Sequence, residues 1–548
     1  MRKTDDIVNI TREKLVSALG NDVEPVELKW PNYVGFRLLT PRRITDVVKE
    51  LKKLGYAQVT LITGIDKPQE GVIELVYKFN RMDSLVMAWI YTQIPRDDPK
   101  IPSITPICKS ANPHELEVYD LMGVIFEGHP DLRHVFLPWD WDLGSPLRKD
   151  WDPSLAKEYP WWERTREFYD PFVIPETEAD DIYYLSIGPQ HPAVHGSFRL
   201  ILKLRGDTIL EAWPDFGWVH RGIEKLAESK NYEQNIVYTD RLCYGSAITW
   251  NLTYVLAIED LLGIEVPERA QWFRAILAEI QRIISHLLWL AAFSGDIGTY
   301  HSMFLYPLRE REKFLDLLEK ACGSRLTYSY IRIGGVGIFK HAEDIPETWF
   351  EETKETIKDF RKRLEEYMDI TYANETFWMR TKGVGILKGK AAVEAGATGP
   401  VLRGAGIKYD IRKVAPYLVY DQVDFEIPTG KNGDAFDRWW VRINEMIQST
   451  HIIEQIIDEM PKQGPLRTKV PLPKLRGKGE GFSRTEDPRG EASIYVVGDG
   501  SDKPYRLHIR SPTYANLSLL HYILRHAKLA DIAVIIGSLD PCMAEVDR

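Results

Sequence analysis

After Pro267, the residues Trp272, Ile276, Ile280, Ile283 and Leu287 recur three to four positions apart, a spacing that an α-helix gathers onto one face and a strand does not. Further helices are predicted over 309–320, from Pro346 to about residue 367, and over roughly 434–460. The first 150 residues carry a different signal. There a helical stretch over 41–54 precedes three strand-like runs, 58–62, 72–79 and 84–92, with Gly64 and Lys67-Pro68 as turn signals between them. Two such regimes in one chain argue against an all-α or an all-β protein. The expected class is α+β: a small α/β domain over 1–150, a Trp/Pro-rich connecting segment over 151–179, and a mostly helical domain with peripheral β elements over 180–548.

Within the second domain, 184–187, 198–204 and 208–211 read as strands, with Gly206-Asp207 as a hairpin turn. The stretch 462–491, rich in Pro, Gly, Lys and Arg, reads as a surface excursion that wraps a partner. Strands are expected at 493–498 and 505–509, and a strand-like run at 532–536 leads into 539–548, which is expected to be docked rather than frayed. Five tryptophans, Trp139, Trp141, Trp151, Trp161 and Trp162, imply that the Pro-rich passage around them is pinned across another surface.

Composition removes several function classes. A net charge of -10 argues against a nucleic-acid surface. The four cysteines, Cys108, Cys243, Cys322 and Cys542, form no CxxC pair, which argues against a self-contained iron–sulfur cluster or structural zinc. The apolar stretch 248–263 carries Glu259 and Asp260 and is too short to span a bilayer, and residues 1–12 have no signal-peptide pattern. The expectation is a soluble chain whose membrane link runs through partners. No GxGxxG fingerprint lies between a strand and a helix, so NAD is not expected to bind here.

Chemistry concentrates in three places. The segment Tyr238-Thr-Asp-Arg-Leu-Cys-Tyr-Gly-Ser246 packs an acid, a base, a thiol and a phenol together. A cysteine beside an arginine can have a depressed pKa and gain nucleophilicity, the alternative being a small buried thiol at a helix start. The segment 539–548 repeats the pattern with Asp540, Cys542, Glu545, Asp547 and Arg548. His191 and His195 sit in a Pro/Gly-rich turn, where either can donate a proton near neutral pH or simply face solvent. The dense His220-Arg-Gly-Ile-Glu-Lys225 stretch reads equally as a solvated helix start. Cys108 and Cys322 match no ligand motif and read as core or surface thiols.

Longer motifs carry a resemblance. The run from Glu117 to Arg133, EVYDLMGVIFEGHPDLR, followed by PLRKD at 146–150, resembles the 30-kDa subunit of respiratory complex I. GPQHPAVHG at 188–196, HRGIEK at 220–225, YTDRL at 238–242, REREK at 309–313, RIGGV at 332–336, LRGAGIKYDIRK at 402–413, GDAFDR at 433–438 and the closing EVDR resemble the 49-kDa subunit, itself related to the large subunit of nickel–iron hydrogenases. The resemblance implies a helical core facing an iron–sulfur small subunit, whose [4Fe-4S] cluster delivers electrons to a cavity between them. It implies no cofactor or metal bound by this chain. Further iron–sulfur subunits, antiporter-like membrane subunits and a ferredoxin donor are implied as partners, with the chain held peripherally at the cytoplasmic face of the cell membrane. His195 and Tyr244 take the positions that contact a quinone headgroup in complex I, and Asp240, Arg241, His191, Asp540 and Arg548 are expected to support the cavity. Arg403, Asp410 and Arg412 are expected to brace it with buried ion pairs.

The resemblance breaks at informative positions. Cys243 replaces the second Asp of the complex I pattern DRLDY. Against the hydrogenase patterns RxCGxC and DPCxxC, Cys243 and Cys542 keep the first cysteine of each pair, whereas Ser246 and Glu545 replace the second. Serine and glutamate do not recreate soft sulfur bridges between two metals, so hydrogen turnover is not expected. Three functions remain open: reduction of sulfane sulfur by a Cys243–Cys542 pair assisted by Glu545, reduction of a quinone at Tyr244 and His195, and a coupling scaffold without chemistry of its own. The first resembles the branch of archaeal membrane-bound sulfane-sulfur reductases.

Overall fold

The computed structural model describes residues 2–157, 159, 181–299, 303–337, 345–471 and 475–548. Its first part is a sheet of β1 (Val23–Val26), β2 (Tyr33–Leu38), β3 (Tyr56–Lys67), β4 (Val72–Arg81) and β5 (Met87–Pro95) in the order β1-β2-β5-β4-β3. Within it β2 and β5 pair in parallel and the other neighbours are antiparallel. Helices α1 (Arg2–Leu19) and α2 (Ile44–Lys53) cover one face. In α2, Ile44, Val47, Val48 and Leu51 fall on one helical stripe and bury against Ile62, Leu75 and Tyr77 of the sheet. Strand β3 runs through Gly64 rather than turning there, because the glycine lets α3 (Asn112–Met122) close in: a Cβ at Gly64 would stand 3.1 Å from the Met122 side chain. A short parallel pair, β6 (Lys100–Pro102) and β7 (Ile125–Glu127), adjoins α3.

The opposite face of this sheet is also buried. Leu61, Ile65, Val76, Met87, Trp89 and Tyr91 pack on Phe482 and Tyr495 from the far end of the chain. The second part begins with an antiparallel sheet of β8 (Ile182–Ile187), β9 (Arg199–Arg205) and β10 (Thr208–Asp215), as the hairpin signal at Gly206-Asp207 predicts. After α4 (Ile223–Ala227), a helical core follows: α5 (Ala247–Leu262), α6 (Glu268–Ile297), α7 (Leu305–Cys322), α8 (Glu347–Tyr372) and α9 (Ala435–Glu459).

Helix α6 departs from the expected single apolar face. Trp272, Ile276, Ile280, Ile283 and Leu287 are buried as the spacing requires, but so are Arg274, Glu279, Arg282 and His286. Each of the four meets a fixed partner: Arg274 donates to Glu259 at 2.7 and 2.9 Å and to carbonyls of the small β11 (Ile331–Arg332) and β12 (Gly335–Val336) pair. Glu279 pairs with Arg412 at 3.0 Å, and His286 lies 3.0 Å from Glu445. Arg282 donates to the Glu486 carbonyl. The same helix, not 248–263, is the one long and apolar enough to cross a membrane by length and composition among the described residues; 89% of its most apolar window is buried inside the protein.

Two local expectations are corrected. The stretch 462–491 is not a surface excursion over its second half. Residues Lys478–Asp487 form β13, which pairs with β14 (Gly490–Asp499) and through it with β15 (Pro504–Arg510). Its charged residues misled because they are buried in partnered form: Arg484, Glu486, Asp487, Arg489 and Glu491 are all inside. The run 532–536 is helical, forming α10 (Ile532–Ser538) against α6, since a short apolar run does not distinguish a strand from a buried helix. In the Trp-rich passage, the Trp141 and Trp151 indoles donate to the Gly144 and Leu143 carbonyls, whereas Trp139 is exposed. Trp161 and Trp162 lie outside the described residues.

Candidate functional site

Three segments from distant parts of the chain converge beside the N-terminus of α5. The first is the loop that precedes α5 and carries Cys243. The second is the turn out of α10, where Asp540 takes a positive φ of 57° and leads through Pro541 to Cys542. The third is the tight turn between β13 and β14, residues 487–490, which the sheet holds between them. Cys542 sits at the N-cap of α11 (Met543–Asp547), and its carbonyl accepts the Glu545 and Val546 amides at 3.2 and 3.3 Å.

The result is a buried, chemically dense cluster. The Sγ atoms of Cys243 and Cys542 and a carboxylate oxygen of Glu545 lie within 4.8 Å of one another. All three residues are buried, at 0%, 1% and 0% exposure, and both cysteines are free thiols. Glu545 is held from three sides: Oε1 accepts the Ser511 hydroxyl at 3.0 Å and the Thr513 amide at 2.9 Å, and Oε2 accepts the Trp250 indole N–H at 3.3 Å. These donors fix the carboxylate against the thiols and satisfy the polar atoms that burial would otherwise strand.

The electrostatics differ from the sequence expectation. Burial pushes the Cys243 thiol well up from its ordinary value, the Cys542 thiol adds to this, and the Arg489 guanidinium pulls the other way. The nearby cation is Arg489, not Arg241, whose exposed guanidinium turns back to the Val237 carbonyl at 3.1 Å. Arg489 is anchored by the Asp540 carbonyl at 3.1 Å, the Asp540 carboxylate at 3.1 Å and the Ser285 hydroxyl at 3.2 Å. It lies against Gly245, where a Cβ would meet its nitrogens at 3.1 and 3.3 Å. Asp487, on the same turn, has its carboxyl pushed up to about 7 by burial and by the charge of Glu545.

The other expected residues divide. Tyr244 follows Cys243 but points outward at 51% exposure; partial burial and the nearby Cys542 push its phenol up to about 12. His195 pairs with Asp296 near the end of α6 at 2.6 Å, and its positive φ of 55° places it in the turn between β8 and β9 as expected. Gly537 makes room for that pair, since a Cβ there would stand 2.1 Å from the Asp296 carboxylate and 3.2 Å from the imidazole. His191 is exposed and accepts the Ala193 amide at 3.2 Å, apart from the buried thiol cluster. Asp240 is buried but turned to Ser329, whose amide reaches it at 3.1 Å and whose hydroxyl donates to it. Asp540 and Arg548 are buried, the former 3.1 Å from Arg489 and the latter 2.8 Å from Glu117. The expected buried ion pairs are present, with Arg403 on Glu445 and Glu486 at 2.7 and 2.8 Å and Arg412 on Asp410 at 2.7 Å.

Sequence reading missed Arg489, Asp487, Asp296 and Arg221. Arg221 clips the two thiol-bearing segments together, donating at 2.9 Å to the carbonyls of both Arg241 and Ala544. It lies inside a quoted motif, so a signal for it existed. Asp487 and Arg489 were hidden by the Pro/Gly-rich composition of their turn.

Comparison with known proteins places this architecture. Residues 296–548 match the family described as the respiratory-chain NADH dehydrogenase 49 Kd subunit, and residues 38–157 match the corresponding 30 Kd subunit family. An NADH-quinone oxidoreductase subunit of Desulforamulus reducens is 45% identical over 67% of this chain and 98% of its own length. A fused NADH-quinone oxidoreductase subunit of Methylococcus capsulatus is 38% identical and covers 90% of each chain. Among solved structures, a chain of the membrane-bound sulfane sulfur reductase, an archaeal respiratory membrane complex, is 37% identical with a TM-score of 0.64, covering 68% of this chain and 100% of its own.

Proposed function

Because the chain belongs to the 49-kDa subunit family of respiratory complex I, with a 30-kDa-type unit fused ahead of it, we propose that it is the substrate-cavity subunit of an energy-converting membrane oxidoreductase that reduces sulfane sulfur at Cys243 and Cys542. One observation carries this reading: two thiols from segments almost 300 residues apart meet beside a carboxylate and a buried guanidinium. The similarity to a chain of a sulfane sulfur reductase complex supports the same substrate class. Electrons come from a [4Fe-4S] cluster in an adjacent small subunit. Further iron–sulfur subunits and antiporter-like membrane subunits complete the assembly at the cytoplasmic face, with ferredoxin as donor.

The chemistry is thiol–disulfide exchange applied to a polysulfide. Cys542, deprotonated for the step and interacting with the Arg489 charge, attacks the terminal sulfur; a sulfur–sulfur bond breaks, a polysulfide dianion shorter by one sulfur leaves, and Cys542 becomes a persulfide anion. The Cys243 thiol then attacks the inner persulfide sulfur. Its proton passes to the departing terminal sulfur, hydrosulfide leaves, and a Cys243–Cys542 disulfide forms. Two electrons and one proton return the pair to one thiolate and one thiol. The net change is one polysulfide sulfur reduced to hydrosulfide. High placement of the Cys243 proton suits it to this second step, and Glu545 and Arg489 fix the charge around both sulfurs.

A quinone acceptor is the second reading. It is favoured by the outward-facing Tyr244 phenol and by the His195–Asp296 pair, and by the quinone oxidoreductase names of the relatives. A single comparison separates the two. In the purified complex, polysulfide-dependent oxidation of a reduced low-potential donor should vanish in Cys542→Ala while the clusters stay reducible. Undiminished sulfide production by that variant, or quinone turnover with no polysulfide turnover in the wild type, would move the assignment to Tyr244 and His195.

A further inference from the structure

We infer that Glu117, supplied by the fused 30-kDa-type unit, is a positioning residue for the thiol pair, acting through Arg548 and helix α11; the inference rests on the proposed thiol chemistry only for its activity readout. Helix α11 joins Cys542 at its N-cap to Arg548 at its C-cap, with Glu545 between them. A helix this short, rising about 1.5 Å per residue, moves as one piece. What holds Arg548 therefore joins the anchors on Ala544, Glu545 and Asp547 in setting where Cys542 stands relative to Cys243.

Arg548 is held by groups from several parts of the chain. Its guanidinium lies 2.8 Å from the Glu117 carboxylate of α3 and 3.5 Å from Glu224 of α4. It also rests over the rings of Phe136 and Tyr514 at 5.4 and 5.9 Å. Its backbone carbonyl accepts the Arg221 and Ile223 amides at 3.0 and 3.5 Å. Glu224 is already committed, with Arg506 at 2.8 Å and the Ile509 amide at 2.8 Å. His508 faces Glu117 and Glu224 at 3.6 and 3.5 Å, and His114, His220, Asp547 and Tyr514 also surround the cluster. Glu117 is thus the carboxylate chiefly available to neutralise Arg548, and both side chains are buried. Removing its charge leaves a guanidinium underpaired in a dry site, and the strain falls on α11. Asp547 ties the same helix to the loop before α4, accepting the Gly217 and Val219 amides at 2.9 Å each.

The test uses the whole complex carrying Glu117→Gln, read in two ways. The first is the rate at which Cys243 and Cys542 close into a disulfide under a mild thiol oxidant, followed by mass spectrometry of the linked peptides. The second is kcat and KM for polysulfide. Closure about tenfold slower than wild type, with kcat lowered in step, KM for the electron donor unchanged and cluster content intact, is the expected result. Restoration in Glu117→Asp, which keeps the charge, separates positioning from general damage. Wild-type closure in Glu117→Gln overturns the inference. If Glu117→Gln does not assemble, Arg548→Lys is measured instead: slowed closure supports the inference and wild-type closure overturns it. Disulfide closure does not depend on the substrate, so polysulfide turnover that survives Cys542→Ala would defeat the functional proposal without touching this readout.

Discussion

At the scale of single residues, the thiol pocket is a case where burial and chemistry pull against each other. Asp487 has one firm donor, the Arg489 amide at 3.0 Å, and sits inside the protein near the charge of Glu545. Its folded-state pKa of about 7 exceeds the usual carboxylate value, so the unfolded chain loses this proton first as pH rises. The native state then binds more protons than the unfolded state between roughly pH 4 and 7, and stability falls across that window before levelling. Asp487→Asn should remove this part of the slope. Thermal unfolding from pH 5 to 8 checks it, with the variant gaining relative stability at the alkaline end; parallel curves would contradict the assignment. Cys243, Cys542 and Glu545 were legible in the sequence because they stand at fixed places in long motifs. Their environment was not: adjacency to Arg241 suggested a depressed thiol, but direction along the chain does not say which way a guanidinium points.

At the scale of elements, the turn between β13 and β14 is set by a backbone contact. Gly399 and Gly490 meet so closely that a Cβ on Gly399 would stand 2.3 Å from the Gly490 Cα and 2.6 Å from the Arg489 carbonyl. Both have positive φ, 60° and 138°, which favours glycine independently of the space. Gly399→Ala should cost about 1–3 kcal/mol in overpacking and displace Arg489 from the thiols. A lowered melting temperature together with reduced sulfide production is the expected pair of results; normal activity at normal stability would mean that the turn tolerates the shift. Long helices were legible from periodicity, and the hairpin at Gly206-Asp207 from its turn chemistry. The β13–β14 hairpin was not, because a strand that buries Arg484, Glu486 and Asp487 in its second half has the composition of a loop. Helix α10 was misread for the complementary reason: five apolar residues in a row carry no period.

At the scale of the whole molecule, the two units share a core rather than a hinge. Lys78 of β4 marks the seam. It is fully buried, its amine stands 3.6 Å from the Trp89 ring and 3.8 Å from those of Phe482 and Tyr495, and it has no hydrogen-bond partner among the described residues. The rings favour the charged form and burial opposes it; burial wins, holding the amine well below its usual value. Lys78→Met fills the same space without a charge to desolvate and should leave the melting temperature equal or higher, with activity unchanged. A lower melting temperature would show that the cation itself holds the seam. Polar contacts continue along it, with Arg506 reaching the Gly64 carbonyl at 3.1 Å, Tyr505 the Asp66 carbonyl at 2.6 Å and Gln58 the Ala397 carbonyl at 3.0 Å. The α+β class and the presence of both units could be read from the sequence, whereas this joint core could not, since its halves lie some 400 residues apart. Covalent joining gives the seam one more property. Its closure is an event within one molecule, so the ratio of the two units is fixed at one to one and their docking does not weaken on dilution.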